Sequence, residues 1–510
     1  MLARVYSAAL IGLDGELVDV EVDISRAERP ITSVVGLPDT AVQESRERVR
    51  SAIRNSGLSW PINQRIIINL APADLRKEGP AFDLPIAMAI LLASGQVVAD
   101  LDDAIIVGEL SLDGQIRPVH GVLPLVALAH RLGKMRAFVP VENAREAALI
   151  EGLEVVGVES LASFASHLLG AHQIPTTPRQ ENPESPELYR GTDFADIVGQ
   201  EHVKRALEVA ASGGHNVIMR GPPGSGKTLL ARAVPSILPA MTAGEALEVT
   251  RIYSVAGLLP AGGGLISARP FRAPHHTISH AGLVGGGTMP RPGEITLCHR
   301  GVLFLDELPE FGPQVLEVLR QPLEDRVVTI SRARLSVTFP ANFALIAAMN
   351  PCPCGYYGDP SHDCTCSPQV VGRYQRRISG PLLDRIDLFA DVPRVDFEKL
   401  AAGTRAEPSA AVAERVRVAR EVQRIRFADS VARTALNSEM TPGEVREHAQ
   451  LQLTDSAATL LKMAVERLNL SARAFHRTLK LARTIADLAG IEPIEQPHVA
   501  EAIQYRERVE

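Results

Sequence analysis

At 510 residues the chain is too long for a single hydrophobic core, and its length predicts about two to four domains. Its 45% hydrophobic and 22% charged content is that of a folded globular protein, and no apolar run reaches the ~20 residues a membrane-spanning helix needs, so no membrane partner is expected. A net charge of −7 excludes a protein that coats nucleic acid with its whole surface, but it permits a local basic feature such as the inner wall of a ring.

The first twenty residues, MLARVYSAALIGLDGELVDV, are interrupted by Asp14, Glu16 and Asp19 and offer no small-residue cleavage site. A first strand is expected there rather than a signal peptide, and a cytoplasmic location follows as the default. Residues 1–170 then alternate short apolar strands (Ile66–Leu70, Ala104–Val107, Ala137–Val141) with helical segments (Thr40–Ser56, Pro85–Ser94, Leu123–Leu132). The first of these helices follows an Asp39 cap and carries Val42, Val49 and Ile53 on one side. The pattern is mixed α/β. Between 171 and 192, Pro175, Pro178, Pro183 and Pro186 stand among polar residues, which predicts a linker. Residues 193–393 carry nucleotide motifs on an α/β pattern, and 394–510 are helical in pattern.

Gly221, Pro222, Pro223, Gly224, Ser225, Gly226, Lys227 and Thr228 fit G-x-x-x-x-G-K-[ST] at every fixed position. A short strand, Asn216–Met219, precedes them and a helix start at Leu229 follows, the context a phosphate-binding loop requires. Glycines let backbone N–H groups turn inward on phosphates, where a helix N-terminus adds positive potential. Lys227 is expected on the β/γ-phosphates of ATP and Thr228 on Mg²⁺. Val302–Leu305 forms a buried strand ending in Asp306, a second Mg²⁺ ligand, and Glu307, which would polarise the attacking water. Leu345–Met349 is a further buried strand ending in Asn350, placed to orient that water.

Two inserts interrupt this motor. Arg269–Ser279 and Gly282–Gly287 show no clear periodicity and are expected as a loop, with His275 and His276 as ordinary loop residues. Val327–Phe339 alternates on either side of Arg332 and Arg334 and predicts a hairpin with a basic tip, suited to the phosphate backbone of DNA.

Four of the five cysteines, Cys352, Cys354, Cys364 and Cys366, lie in the loop 350–368. Four thiolates so close together suit a structural Zn²⁺, with no open position for catalysis. A disulfide pair and an Fe–S cluster are the alternatives, and His362 is a competing ligand.

The order of phosphate loop, Asp-Glu strand and Asn strand resembles the AAA+ ATPases, and Asp193–Gln200 resembles that superfamily's segment beside the adenine. The resemblance implies that Arg385 reaches a neighbouring subunit's nucleotide as a trans finger, with Arg376 and Arg377 as rivals. It implies a second sensor at Arg473, with Arg477 as its rival, and a hexameric ring. Lys77–Pro85 and Arg117–Asn143 resemble the catalytic segments of Lon proteases, a ribosomal protein S5 domain 2-like α/β fold. The nucleophile's place there falls on Ala81 and the lysine's on Leu123, so no dyad exists to cut peptides.

Val35–Asp39 with Glu44–Val49, the two inserts, the cysteine loop and Ser471–Leu488 together resemble the ComM/YifB family of magnesium-chelatase-like ATPases. That resemblance implies a Lon-like front domain (1–170), a linker (171–192), an AAA+ core (193–393) and a helical lid (394–510). It further implies a hexameric helicase driving branch migration of incoming DNA in natural transformation. A chelatase subunit driving Mg²⁺ into a tetrapyrrole is the alternative.

Overall fold

The computed structural model describes all residues except 28–29, 180–190, 261, 288–289, 333–334, 396–405, 432–433 and 507–510. The chain forms two compact units. One comprises Met1–Glu184, Ala246–Ile266 and Thr288–Arg291; the other comprises Ser185–Glu245, Ser267–Gly287 and Pro292–Glu510. Both are α/β, as expected.

The front unit opens with the expected strand, Leu2–Ile11, which folds back antiparallel on Asp14–Arg26. A four-stranded sheet results, with Gln64–Ala71 third and Thr32–Val35 at its edge. Val18, Val20, Val22 and Ile24 alternate into the core, the period of two that a half-buried strand requires. Helix Thr40–Asn55 begins where Asp39 accepts the Val42 N–H at 2.7 Å, and it buries Val42, Val49 and Ile53. The almost wholly buried helix Asp83–Ala93 packs against the two long strands. Ala104–Ile106, Arg136–Pro140 and Glu154–Val158 make a second, parallel sheet.

Ala246–Ile266 follows the phosphate loop in sequence yet folds with this front unit. Its Ser254 hydroxyl donates to the buried Glu146 carboxylate, and the Ser254 carbonyl accepts the Gly121 N–H at 3.0 Å. Burial pushes the Glu146 pKa up, opposed by the Ser254 hydroxyl and the Leu123 N–H.

The second unit is built on five parallel strands in the order Phe271–Arg272, Val302–Leu305, Ala344–Met349, Val217–Arg220, Leu388–Asp391. Val302–Leu305 is buried throughout, because a parallel sheet covered on both faces needs apolar residues at every position. The helices Ser409–Arg426, Asp455–Leu468, Ala472–Ala489 and Gln496–Gln504 share one core with the sheet, where Val416, Leu479 and Ile485 join Val217 and Phe304. The expected hairpin is present: Val327–Arg332 pairs antiparallel with Leu335–Pro340, from Val327↔Pro340 to Arg332↔Leu335. Arg332 is exposed, while Arg334 lies outside the described residues. Among the described residues no helix is long and apolar enough to cross a membrane.

Candidate nucleotide site

Register brings the three predicted strand ends together. Arg220 pairs with Met349, and Leu305 with Ala347, so Gly221, Asn350 and Asp306 emerge along one edge. That edge is the carboxyl end of a parallel sheet, where such folds bind ligands. The phosphate loop turns through positive φ at Gly224 (76°) and Gly226 (90°), and helix Lys227–Ala233 starts directly after it. Lys227 is buried and donates to the carbonyls of Gly221 (2.7 Å) and Pro222 (2.9 Å) and to Asn350 Oδ1 (3.2 Å). Burial lowers the Lys227 pKa, and Asp306 and Glu307 counter it. Thr228 Oγ1 donates to Asp306 Oδ2 at 2.7 Å, so the two expected Mg²⁺ ligands already face each other.

Glu307 stands in a left-handed backbone conformation (φ 53°) with its carboxylate about half exposed. His276 approaches it, Nδ1 lying 3.4 Å from Glu307 Oε2, with its ring edge-on to Phe311. The sequence predicts His276 as an ordinary loop residue, and the structure places it against the acidic strand end. A pair of histidines in an aperiodic insert carries no spacing signal that it folds over a distant strand end. Part of that insert is ordered as a short helix, His280–Val284, capped by Ser279.

Arg385 and Arg473 are not brought to their own phosphate loop. They line a cleft of about 660 Å³ at the opposite end of the same sheet, beside Asn216, Gly301 and Ala344, where three of the strands begin. Arg385 pairs with Glu324 and donates to the Pro381 carbonyl at 2.7 Å, while Arg473 stands 3.8 Å from the same Glu324 and is 60% exposed. Arg477 instead turns inward to the Ile386 carbonyl (2.9 Å) and Asp387 (3.8 Å). Burial opposes charge on Asp387, but His215 and Arg477 hold its pKa down at about 2. Of the rival arginines, Arg377 pairs with Glu310 at 2.8 Å and Arg376 is exposed.

The four predicted cysteine sulfurs lie within 4.8 Å of one another, with separations such as 3.3, 3.5 and 3.7 Å. Four sulfurs held at ~2.3 Å around one Zn²⁺ stand about 3.8 Å apart, so the set fits that ion. All five cysteines are free, and Cys298 is buried elsewhere. His362 stays out of the cluster, its ring against Tyr356 at 4.7 Å. A backbone N–H from Tyr356 helps pull the Cys354 thiol down to about 5, whereas burial and the neighbouring sulfurs raise Cys364 and Cys366, so a single thiolate among these three is favoured in the metal-free cluster.

In the front unit Ala81 sits in a short turn of helix and Leu123 is buried. Two apolar side chains offer neither a nucleophile nor a base.

Three family models match successive stretches of the chain. Residues 193–400 match the family described as Magnesium chelatase, subunit ChlI; residues 20–143 match Subunit ChlI of Mg-chelatase; and residues 406–506 match the ChlI C-terminal family. Competence protein ComM of Haemophilus influenzae is 45% identical over 514 residues, covering 100% of this chain and 98% of its own length. Protein YifB of Escherichia coli is 42% identical, covering 99% of this chain and 97% of its own. Lon protease 2 of Bacillus subtilis is 35% identical over 160 residues, 29% of this chain and 28% of its own, so that likeness is partial.

Proposed function

The chain belongs to the ComM/YifB family of magnesium-chelatase-like AAA+ ATPases, and from that premise we propose that it is an ATP-driven DNA motor. In this reading it works in the cytoplasm as a homo-hexameric ring and drives branch migration of incoming DNA during natural transformation. Lys227 holds the β/γ-phosphates of ATP, while Thr228 and Asp306 ligate Mg²⁺. Glu307 polarises the attacking water that Asn350 orients. Mg²⁺ supplies charge neutralisation on the phosphates, and Zn²⁺ held by Cys352, Cys354, Cys364 and Cys366 staples a loop that has little core of its own.

One observation carries the proposal. Lys227, Asp306 and Asn350 stand at one end of the central sheet, and Arg385 and Arg473 stand at the other. Charge developing on a γ-phosphate needs a fixed cation, and these arginines cannot serve their own nucleotide from across the sheet. A neighbour's cleft facing each phosphate loop supplies them, and repetition of that contact closes a ring. Arg332 and Arg334, repeated on six hairpins, then form a basic collar for a phosphate backbone.

The test is ATP hydrolysis and strand displacement on single-stranded, duplex, forked and four-way DNA. Forked and four-way substrates should stimulate hydrolysis and be resolved only with ATP. A lone monomer that turns over ATP at full rate, indifferent to DNA, overturns the reading. The chelatase alternative shares the motor, and stimulation by a chelatase partner in place of branched DNA would favour it.

A further inference from the structure

The front unit carries a groove of about 450 Å³ that the nucleotide chemistry does not use. It runs between helix Thr40–Asn55, the loop that leads into strand Gln64–Ala71, and the approach to strand Thr32–Val35. Arg46, Arg50 and Arg54 recur every four residues along its helical wall, which stacks them on one face about 6 Å apart. All three are exposed. Arg46 donates to Glu47 at 3.1 Å, a carboxylate that also lines the groove, and to the Thr32 carbonyl at 3.4 Å, whereas Arg50 and Arg54 have no side-chain partner among the described residues. Across the groove stand Trp60, the chain's one tryptophan, half-buried against the core, and Ile62, 71% exposed.

The Arg46–Arg50 and Arg50–Arg54 spacings oppose helix stability, and Glu47 offsets only the first of them. Neighbours four apart on a helix usually carry opposite charge, and like charges there are destabilising by about 0.2–0.5 kcal/mol per pair. A chain with a net charge of −7 nevertheless places three cations in a row on this ridge. A polyanion laid along the row relieves that repulsion. An aromatic face beside it adds what a single strand needs: phosphates follow the cations while a base stacks on the ring. A duplex keeps its bases stacked and would gain nothing from Trp60.

We propose that this groove binds single-stranded nucleic acid, its backbone along Arg46, Arg50 and Arg54 and a base against Trp60 and Ile62. The choice of DNA as that strand rests on the function proposed above; the groove's chemistry does not depend on it.

Because Trp60 is the sole tryptophan, its emission reports this site alone. The full-length protein is titrated with a labelled oligo(dT), and strand anisotropy and Trp60 emission are read in the same samples. Quenching should accompany strand binding in the wild type. Arg50→Ala with Arg54→Ala should lose the quench and flatten the slope of log affinity against log salt by about 1.4, two contacts at about 0.7 each. Its unfolding midpoint should match or exceed that of the wild type, since like charges are removed. Binding without a quench and with an unchanged slope in the double variant overturns the proposal, as does no binding. Equal quenching by polyglutamate also overturns it, in favour of an acidic protein. ATP hydrolysis indifferent to DNA alongside an intact quench would remove the motor and leave the groove.

Discussion

Gly355, directly after Cys354, lies so close to Pro223 that a β-carbon on it would stand 2.5 Å from the proline Cδ. Its φ of +89° is a conformation that favours glycine. The cysteine loop and the phosphate loop therefore touch within one chain.

Gly355→Ala is expected to weaken ATP binding by roughly tenfold, about 1.4 kcal/mol, because the new methyl must displace Pro223 and the backbone is strained. Nucleotide titration beside metal analysis is the check. Unaltered ATP affinity would show that the contact bears no strain into the site.

Metal analysis should find about one Zn per chain, and Cys364→Ser should lower both that content and the unfolding temperature. A value near zero in reduced, chelator-free protein would remove zinc from the account.

Lys227→Ala should abolish ATP binding. Glu307→Gln should keep binding while turnover falls by about 10²–10⁴, the usual worth of a positioned base. His276→Ala, 3.4 Å from Glu307, should lower kcat by less than Glu307→Gln does. Steady-state kinetics separates these outcomes.

Arg385→Ala and Lys227→Ala protein should each be inactive alone, yet active when mixed, since random pairing leaves about one seam in four with an intact loop and an intact finger. A mixture as dead as its components would return Arg385 to a purely structural pair with Glu324.

Burial draws the Lys480 ammonium down to about 8, with Asp387 partly opposing and Arg326 adding to the effect. A lysine with a lowered folded pKa loses its proton more readily when folded. The strain of its buried charge is therefore fully present below pH 8 and is relieved as pH rises toward its unfolded value near 10.5. Wild-type stability should gain up to about 3 kcal/mol over that window relative to Lys480→Met, which has no proton to lose. Urea unfolding at stepped pH measures the difference, and parallel curves for the two proteins would refute the assignment.

Local chemistry made much of this protein legible. A phosphate loop needs glycines, a lysine and a hydroxyl at fixed spacing, so Gly221–Thr228 announced itself, and apolar runs ending in Asp306 and Asn350 read as buried strands. Four cysteines within one loop likewise predicted a sulfur cluster, because residues close in sequence are close in space whatever the rest of the fold does.

The rest depended on register and packing between distant segments, which no periodicity encodes. His276 meets Glu307 across an insert, and Gly355 meets Pro223 across more than a hundred residues. Ala246–Ile266 leaves the ATPase unit because Ser254 finds a buried carboxylate in the front unit. Above all, the tertiary structure decided which end of the sheet each charged group occupies. A strand's direction settles that: residues following a parallel strand and residues preceding one are separated by its whole length, however similar their motifs look in one dimension.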